Sequence, residues 1–171
     1  ETKIKNIVND MRNVRYYYTN NKLNISTKRK FLNDNANGDI IICFDDDDYY
    51  YPGYITNVVN TLNNTDKLIA GSTILFAYFV DDGYIYQYGP YNNNHSCHAS
   101  MAYKREYLKN HKYDNVNHAE ETSFTNGFTE PMIQLKSNKT ILCIAHNNNS
   151  YKKDKEKAIK TKNKVEDLIL D

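Results

Sequence analysis

Four consecutive carboxylates stand directly after a short apolar run in this chain of 171 residues. The run 40–44 is rich in β-branched residues, which is typical of a strand inside a sheet, and the aspartates at 45–48 follow it at once. Like charges about 4 Å apart repel each other by roughly 4 kcal/mol at an effective dielectric constant near 20. The cluster must therefore be solvated, protonated or bridged by a cation. Because α/β proteins bind ligands at the carboxyl ends of strands, a hard divalent cation is favoured, and with it an enzyme acting on something phosphorylated.

The spacing within the acidic run divides it into two pairs. In an extended segment Asp45 and Asp47 point to one side, and Asp46 and Asp48 to the other. One pair can face a cleft while the other caps the following helix or meets solvent. The alternative is an acidic surface loop that caps a helix at 53–62, since Asp is a good N-cap residue. An EF-hand is excluded, because the Gly at position six and the Glu at position twelve are absent from 45–56.

Three further residues could do chemistry beside this cluster. Glu120 and Glu121 are adjacent, so on a helix they diverge by about 100° and cannot both face one atom. One can act as a general base if its pKa is raised, while the other holds a charge or a hydrogen bond. The alternative is two solvated glutamates at a helix start, favoured by the helix dipole. His146 ends a predicted strand, where it could complete a metal shell, contact a diphosphate or be an ordinary surface or core residue.

The hydrophobic pattern predicts the elements that must position these residues. In chain order they are a helix at 1–12, a strand at 14–18, a helix capped by Ser26 or Thr27 and ending near 36, a strand at 39–44, a helix at 53–62, a hairpin over 68–88 that turns at 81–83, a strand at 97–103, a short helix at 104–110, a helical turn at 120–128, a strand at 140–145 and a tail helix at 152–170. The strand–helix–strand alternation implies a parallel sheet covered by helices. No internal repeat or linker divides the chain, which favours one domain.

The order of these motifs resembles the family 2-like glycosyltransferases of the GT-A fold. In that family an arginine on a helix precedes an Ala-x-Gly turn, a hydrophobic strand and an Asp-x-Asp-Asp-x-x-x-Pro element. The matching positions here are Arg29, Ala36, Gly38, Asp45, Asp47, Asp48 and Pro52. The segment 118–124 looks like the acidic pair of the family with its following aromatic residue, and the strand ending at His146 is a third similarity. The family begins with a strand and a nucleotide-binding loop that we expect this chain to lack.

The resemblance implies an α/β, GT-A-like domain over 1–151 with a mixed, mainly parallel sheet flanked by helices, a β-hairpin in mid-chain and a Lys-rich helix at 152–171. It implies inverting transfer of a sugar from a nucleotide sugar to the hydroxyl of a glycan or protein acceptor, with Mn²⁺ or Mg²⁺. The roles it implies are catalysis by Glu121 and Glu120, donor binding by Asp45, Asp46, Arg29 and His146, and metal binding by Asp47, Asp45 and His146. A salt bridge to the acidic turn is an equal possibility for Arg29.

Two other functions stay open on the residues alone. The first is a metal-dependent nucleotidyltransferase or phosphotransferase that uses the aspartates without Glu121. The second is a non-catalytic remnant of the same fold that binds glycans or a partner chain.

Composition argues against several classes of partner and compartment. The net charge of +1 indicates neither nucleic acid nor a membrane surface, and the basic stretches lack an RNA-binding signature. The longest apolar stretch, 68–80, is shorter than the roughly 20 residues of a membrane span. The odd count of three cysteines argues against a disulfide framework, which favours the cytoplasm or another reducing compartment.

Overall fold

A computed structural model describes residues 6–8, 10–149, 151–162 and 165. The helices with bounds in this part of the chain are α1 (Ile25–Asn35), α2 (Tyr54–Asn63) and α3 (Glu120–Phe124). The strands are β1 (Ile40–Ile42), β2 (Tyr49–Tyr50), β3 (Ile69–Gly71), β4 (Leu75–Phe79), β5 (Tyr84–Tyr88), β6 (Ala102–Lys104), β7 (Met132–Gln134), β8 (Ile141–Ala145) and β9 (Ile159–Lys160). Short 3₁₀ helices cover His98–Ser100, Arg105–Lys109, Ser137–Lys139 and Lys155–Lys157. No helix among the described residues is long and apolar enough to cross a membrane.

The strands form two mixed sheets, so the predicted α/β class is confirmed. The first sheet has the order β1-β6-β3-β7, and the second has the order β2-β8-β4-β5-β9. The predicted hairpin is present as β4 and β5, with Leu75 opposite Tyr88, but it does not extend over the predicted 68–88, because residues 69–71 form β3 in the first sheet. Strand directions depart from the expected mainly parallel balance, because only β3–β7 and β8–β4 are parallel among the seven described pairs. Strand β6 lies between β1 and β3 and runs antiparallel to both. The hairpin strands β4 and β5 are also antiparallel, as a short connection allows.

Helices cover both faces of the first sheet. Ala70 and Ala102 belong to a buried cluster with Val58 and Leu62 of α2. Their neighbours along the strands, Ile69 and Tyr103, belong to a second cluster with Phe124 of α3. Since successive side chains of a strand point to opposite faces, α2 and α3 lie on opposite sides of this sheet. The second sheet packs a third cluster from the hairpin and β8, which includes Phe79, Tyr86 and Cys143.

Near the N-terminus the predicted elements are partly corrected. Helix α1 is capped by Asn24, whose side chain accepts from the Thr27 N–H at 2.8 Å, and not by Ser26 or Thr27. The predicted strand at 14–18 is irregular, and Tyr17 packs edge-on against Phe31 of α1 with 4.9 Å between ring centres. Of the predicted helix at 1–12, residues 6–8 are helical, while 1–5 and 9 lie outside the described residues.

Later elements are also corrected in part. The predicted strand at 97–103 begins as the 3₁₀ helix His98–Ser100 before β6, and the short helix expected at 104–110 is the 3₁₀ helix Arg105–Lys109. The predicted tail helix is wrong over 152–162, where β9 pairs with β5. Lys155 fixes this segment by contacting Asp81 and Asp82 of the hairpin turn, each at 2.8 Å. The remainder of the predicted tail helix, apart from residue 165, lies outside the described residues.

Candidate functional site

The acidic turn joins the two sheets. Strand β1 ends at Ile42 in the first sheet, β2 begins at Tyr49 in the second, and the four aspartates occupy the connection. The Tyr50 hydroxyl accepts from the Asp45 N–H at 2.8 Å and donates to the Ala99 carbonyl at 3.0 Å. This hydroxyl therefore pins the start of the turn to the segment that precedes β6.

Asp45 belongs to a buried network with Arg29 and Glu120. Arg29 Nη2 lies 2.8 Å from Asp45 Oδ1, and Arg29 Nε lies 3.4 Å from Glu120 Oε1. The side chains of Arg29 and Glu120 are only 12% and 7% exposed. Burial alone would lower the pKa of the guanidinium, but the facing Asp45 and Glu120 carboxylates more than offset this and raise it. The Arg29 guanidinium thus links α1, the acidic turn and α3. Its contact with Asp45 is the salt bridge to the acidic turn that the sequence left open as one possibility.

Asp47 faces a different part of the molecule. Its Oδ2 accepts from Asn149 Nδ2 at 2.8 Å and lies 3.5 Å from His146 Nε2. His146 directly follows β8, so the structure brings together the two residues for which the resemblance implied a shared metal. The Asn148 N–H donates to His146 Nδ1 at 3.2 Å, and Asn149 Nδ2 lies 3.2 Å from His146 Nε2.

The remaining aspartates have other surroundings. Asp48 Oδ1 accepts from the Ile144 N–H at 2.9 Å, and Oδ2 accepts from Cys143 Sγ at 3.3 Å. Burial raises the pKa of Asp48, which these hydrogen bonds partly oppose. Asp46 is exposed to solvent. The N-cap residue of helix α2 is Gly53, and no side chain caps the helix, so the four aspartates do not form the capping loop that the sequence left open.

The two glutamates diverge at the start of α3, as their adjacency requires. Glu120 is buried against Arg29, whereas Glu121 is partly exposed. Burial raises the pKa of Glu121, the Glu120 charge raises it further, and Arg29 opposes the rise. A carboxylate with a raised pKa is suited to accept a proton near neutral pH. Ala119, just before the helix, has a φ of 54°, a left-handed conformation that is uncommon outside glycine.

A neutral polar cluster lies close to Arg29. His98 Nε2 is 2.7 Å from the Tyr113 hydroxyl, and the Tyr103 hydroxyl donates to Asn33 Oδ1 at 2.7 Å. Burial lowers the pKa of His98 well below its usual range, and the Arg29 charge adds to this. His98 is therefore uncharged, so it adds no second cation beside the Arg29 network.

Two contributors to the site were missed from the sequence. Asn149 bonds Asp47, but asparagine is so abundant in this chain that no single one stands out. Tyr50 lies in a run of three tyrosines in a chain that contains 16, and only its contacts distinguish it from Tyr49 and Tyr51.

The donor atoms around Asp47 fit a divalent cation in part. Asp47 supplies a carboxylate with a side chain 42% exposed, and His146 supplies an imidazole whose Nε2 lies 3.5 Å from Asp47 Oδ2. Asp45 is less available, because its Oδ1 is already bound to Arg29. Among the described residues no group of three or more His, Cys, Asp or Glu side chains could hold a metal. Oxygens of a bound ligand would have to complete the coordination.

Comparison with known proteins identifies one family. A search of curated proteins finds no match. The model of Glycosyl transferase family 2 matches residues 1–134, which include Arg29, the acidic turn and both glutamates but not His146. The match spans well over half of the 171 residues and agrees with the mixed α/β fold. The chain therefore belongs to glycosyl transferase family 2.

Proposed function

We propose that this protein transfers a sugar from a nucleotide sugar to an acceptor hydroxyl, with inversion at the anomeric carbon. The observation that carries the proposal is the Arg29 network, which links the acidic turn to the helix of the partly exposed Glu121. Transfer of a sugar between two substrates requires the donor and the catalytic base to be held in a fixed relative position. Family membership supports sugar transfer as the class of reaction.

The acidic turn would bind the donor. Arg29 occupies Asp45 Oδ1, which leaves Oδ2 to accept from a donor hydroxyl. Asp47, with His146 beside it, would hold Mn²⁺ or Mg²⁺. When bound, such a cation neutralises charge on the departing nucleoside diphosphate. Asp48 stays with β8 and keeps the turn in place.

Glu121 would act on the acceptor. Its carboxylate takes the proton of the acceptor hydroxyl while the hydroxyl oxygen forms a bond to the anomeric carbon. The bond from that carbon to the diphosphate oxygen breaks, and its electron pair leaves with the nucleoside diphosphate. Attack and departure take place on opposite sides of the carbon, so one displacement inverts its configuration. Glu120 cannot share the role of base, because Arg29 holds it in the interior.

A donor screen tests the proposal. The protein is incubated with a panel of nucleotide sugars, Mn²⁺ and mixed acceptors, and the release of nucleoside diphosphate is measured. Glu121→Gln should lower turnover by about 10²- to 10⁴-fold, the usual contribution of a general base, while nucleoside diphosphate binding is retained. Glu106→Gln is the matched control, since Glu106 is exposed on a different helix. Full activity of Glu121→Gln would refute the proposal, and consumption of nucleoside triphosphates alone would indicate the phosphotransferase alternative.

A further inference from the structure

Three aromatic rings form a stack beside helix α3. The Tyr91 ring lies 4.3 Å from the His95 ring, and the His95 ring lies 4.5 Å from the Phe128 ring, between centroids. Both pairs are tilted, by 42° and 34°. Phe128, at one end of the stack, follows α3 in sequence, and Tyr91, at the other end, is 53% exposed. A large aromatic ring is thus presented to solvent on a support of two further rings.

Hydrogen bonds hold the loop that carries Tyr91. The Tyr91 N–H donates to Thr73 Oγ1 at 2.9 Å. Gln134 of β7 donates from its side chain to the carbonyls of Asn93, at 2.7 Å, and of His95, at 3.1 Å. These contacts fix the backbone on both sides of the exposed ring. The ring is therefore pre-organised, and a ligand that stacks on it has little loop entropy to overcome.

Phe128 reaches the stack through unusual backbone. Its φ is 61°, and that of Asn126 is 49°, so two side-chain-bearing residues adopt the left-handed region around Gly127. This conformation is rare for a bulky residue and persists only where the surroundings enforce it, often at ligand sites. Here the Gly127 N–H donates to the Thr122 carbonyl at 2.7 Å, and the Phe128 N–H donates to Thr125 Oγ1 at 3.1 Å. The turn is held so that the Phe128 ring lies against His95.

Hydrogen bonds join the support of the stack to the residue Glu121. Thr125 Oγ1 accepts from the Phe128 N–H at 3.1 Å and donates to the Glu121 carbonyl at 2.7 Å. The Thr125 N–H donates to the same carbonyl at 3.0 Å. The turn that holds Phe128 follows α3 directly. Burial lowers the pKa of His95, so the stack is uncharged at neutral pH.

We propose that the exposed face of Tyr91 is a stacking platform for a pyranose ring of the acceptor. The C–H bonds on one face of a pyranose are weakly positive and pack against the electron-rich face of an aromatic ring. Asn92 and Asn93 are exposed beside Tyr91. The Asn93 amide can donate to and accept from sugar hydroxyls, whereas Asn92 Oδ1 already accepts from the Asn94 N–H at 2.9 Å, which leaves its amide nitrogen to donate. The inference rests on the proposed function, since it gives the platform the task of placing an acceptor sugar before Glu121. It commits the acceptor to a glycan or a glycoside.

Binding of simple sugars in the absence of a nucleotide tests the platform directly. The probes are methyl glycosides of neutral hexoses and of N-acetylhexosamines, titrated by saturation-transfer NMR against the full chain. Tyr91→Ala should weaken binding by about two- to tenfold, the range of one aromatic contact, whereas Tyr91→Phe keeps the ring and the affinity. Tyr16→Ala, at another exposed tyrosine outside the stack, should leave binding unchanged. Unaltered binding by Tyr91→Ala, or no binding of any glycoside by the wild type, would overturn the inference.

A turnover assay separates this inference from the proposed function. With an active nucleotide sugar, Tyr91→Ala should raise the acceptor KM and leave the donor KM as it is. A raised donor KM with an unchanged acceptor KM would identify Tyr91 as a contact of the nucleobase and overturn the platform. If turnover is intact and neither KM changes, the platform is wrong while the proposed function stands. If no nucleotide sugar is consumed, the proposed function fails, and the NMR titration still decides the role of Tyr91.

Discussion

Removal of the Arg29 side-chain charge is the sharpest test of the buried network. Arg29→Met leaves the Asp45 and Glu120 carboxylates without their shared cation. Breaking a buried ion pair from one side costs about 3–5 kcal/mol. Here Asp45 is 34% exposed and can regain water, whereas Glu120, 7% exposed, cannot. We therefore expect a loss of about 2–3 kcal/mol in the free energy of unfolding, measured by urea titration, and a fall of about 5–10 °C in Tm.

The same substitution should change the pH profile of turnover. The pKa of Glu121 is already raised by burial, and Arg29 holds it down. Without Arg29 this pKa rises further, so a higher pH is needed before the base is ionised. The acidic limb of the kcat/KM profile should therefore move to higher pH. A purely structural role of Arg29 would lower activity by the same factor at every pH.

Two further variants complete the test. Arg29→Lys keeps the positive charge but not the two-pronged guanidinium, so its stability should lie between the wild type and Arg29→Met. Glu120→Gln added to Arg29→Met removes the stranded charge and should recover part of the loss. A loss below about 0.5 kcal/mol in Arg29→Met, the size of an ordinary surface substitution, together with an unshifted acidic limb, would refute this account of the network.

Three other expectations concern single positions. The pKa of Glu121 is raised in the folded state, so above its unfolded pKa of about 4.3 the ionised carboxylate destabilises the folded protein. Glu121→Gln should therefore have a larger unfolding free energy than the wild type at pH 8. The difference between the two should disappear towards pH 4. Asp48→Asn keeps an acceptor for the Ile144 N–H and should cost less than about 1 kcal/mol, whereas Asp48→Ala should cost about 1–3 kcal/mol in urea unfolding. Gly71→Ala would place a Cβ 2.1 Å from Ser96 Oγ and should lower stability by roughly 1–3 kcal/mol, measured as a lower Tm.

Each of these expectations has a clear contrary result. A Glu121→Gln variant that is less stable than the wild type at pH 8 would mean that the carboxylate is stabilised by its surroundings. Equal losses in Asp48→Asn and Asp48→Ala would show that charge, and not the hydrogen bond to β8, matters at this position. A wild-type Tm in Gly71→Ala would contradict the close approach of Ser96.

Local sequence patterns predicted most of the elements but little of their pairing. The apolar run before the aspartates, helix α2 and the β4–β5 hairpin were predictable, because each is encoded within about fifteen residues. The return of β6 between β1 and β3 was not, since it depends on contacts some 60 residues apart in the chain. The tail was predicted as a helix from its apolar spacing, but pairing with β5 and the contacts of Lys155 determined its conformation.

The candidate site shows the same division. Residue type and spacing were enough to single out the aspartates and the glutamates, and the family resemblance added Arg29. They did not predict that Asp45 and Asp47 have different partners, because a turn at 46–47 interrupts the two-residue alternation of an extended segment. Nor did they reveal that Arg29 reaches Glu120, which is 91 residues away in the chain. Such a contact requires the fold to bring Arg29 of α1 next to Glu120 of α3, which the sequence of either helix alone does not contain.

The position of the acidic turn between the sheets separates the supports of its carboxylates. The Asp45 carboxylate contacts Arg29 of α1, and the Asp47 carboxylate contacts Asn149 beyond the end of β8 in the second sheet. Two side chains only two residues apart in the chain thus rest on distant parts of the fold. A ligand that bound both carboxylates would connect α1 with the end of β8.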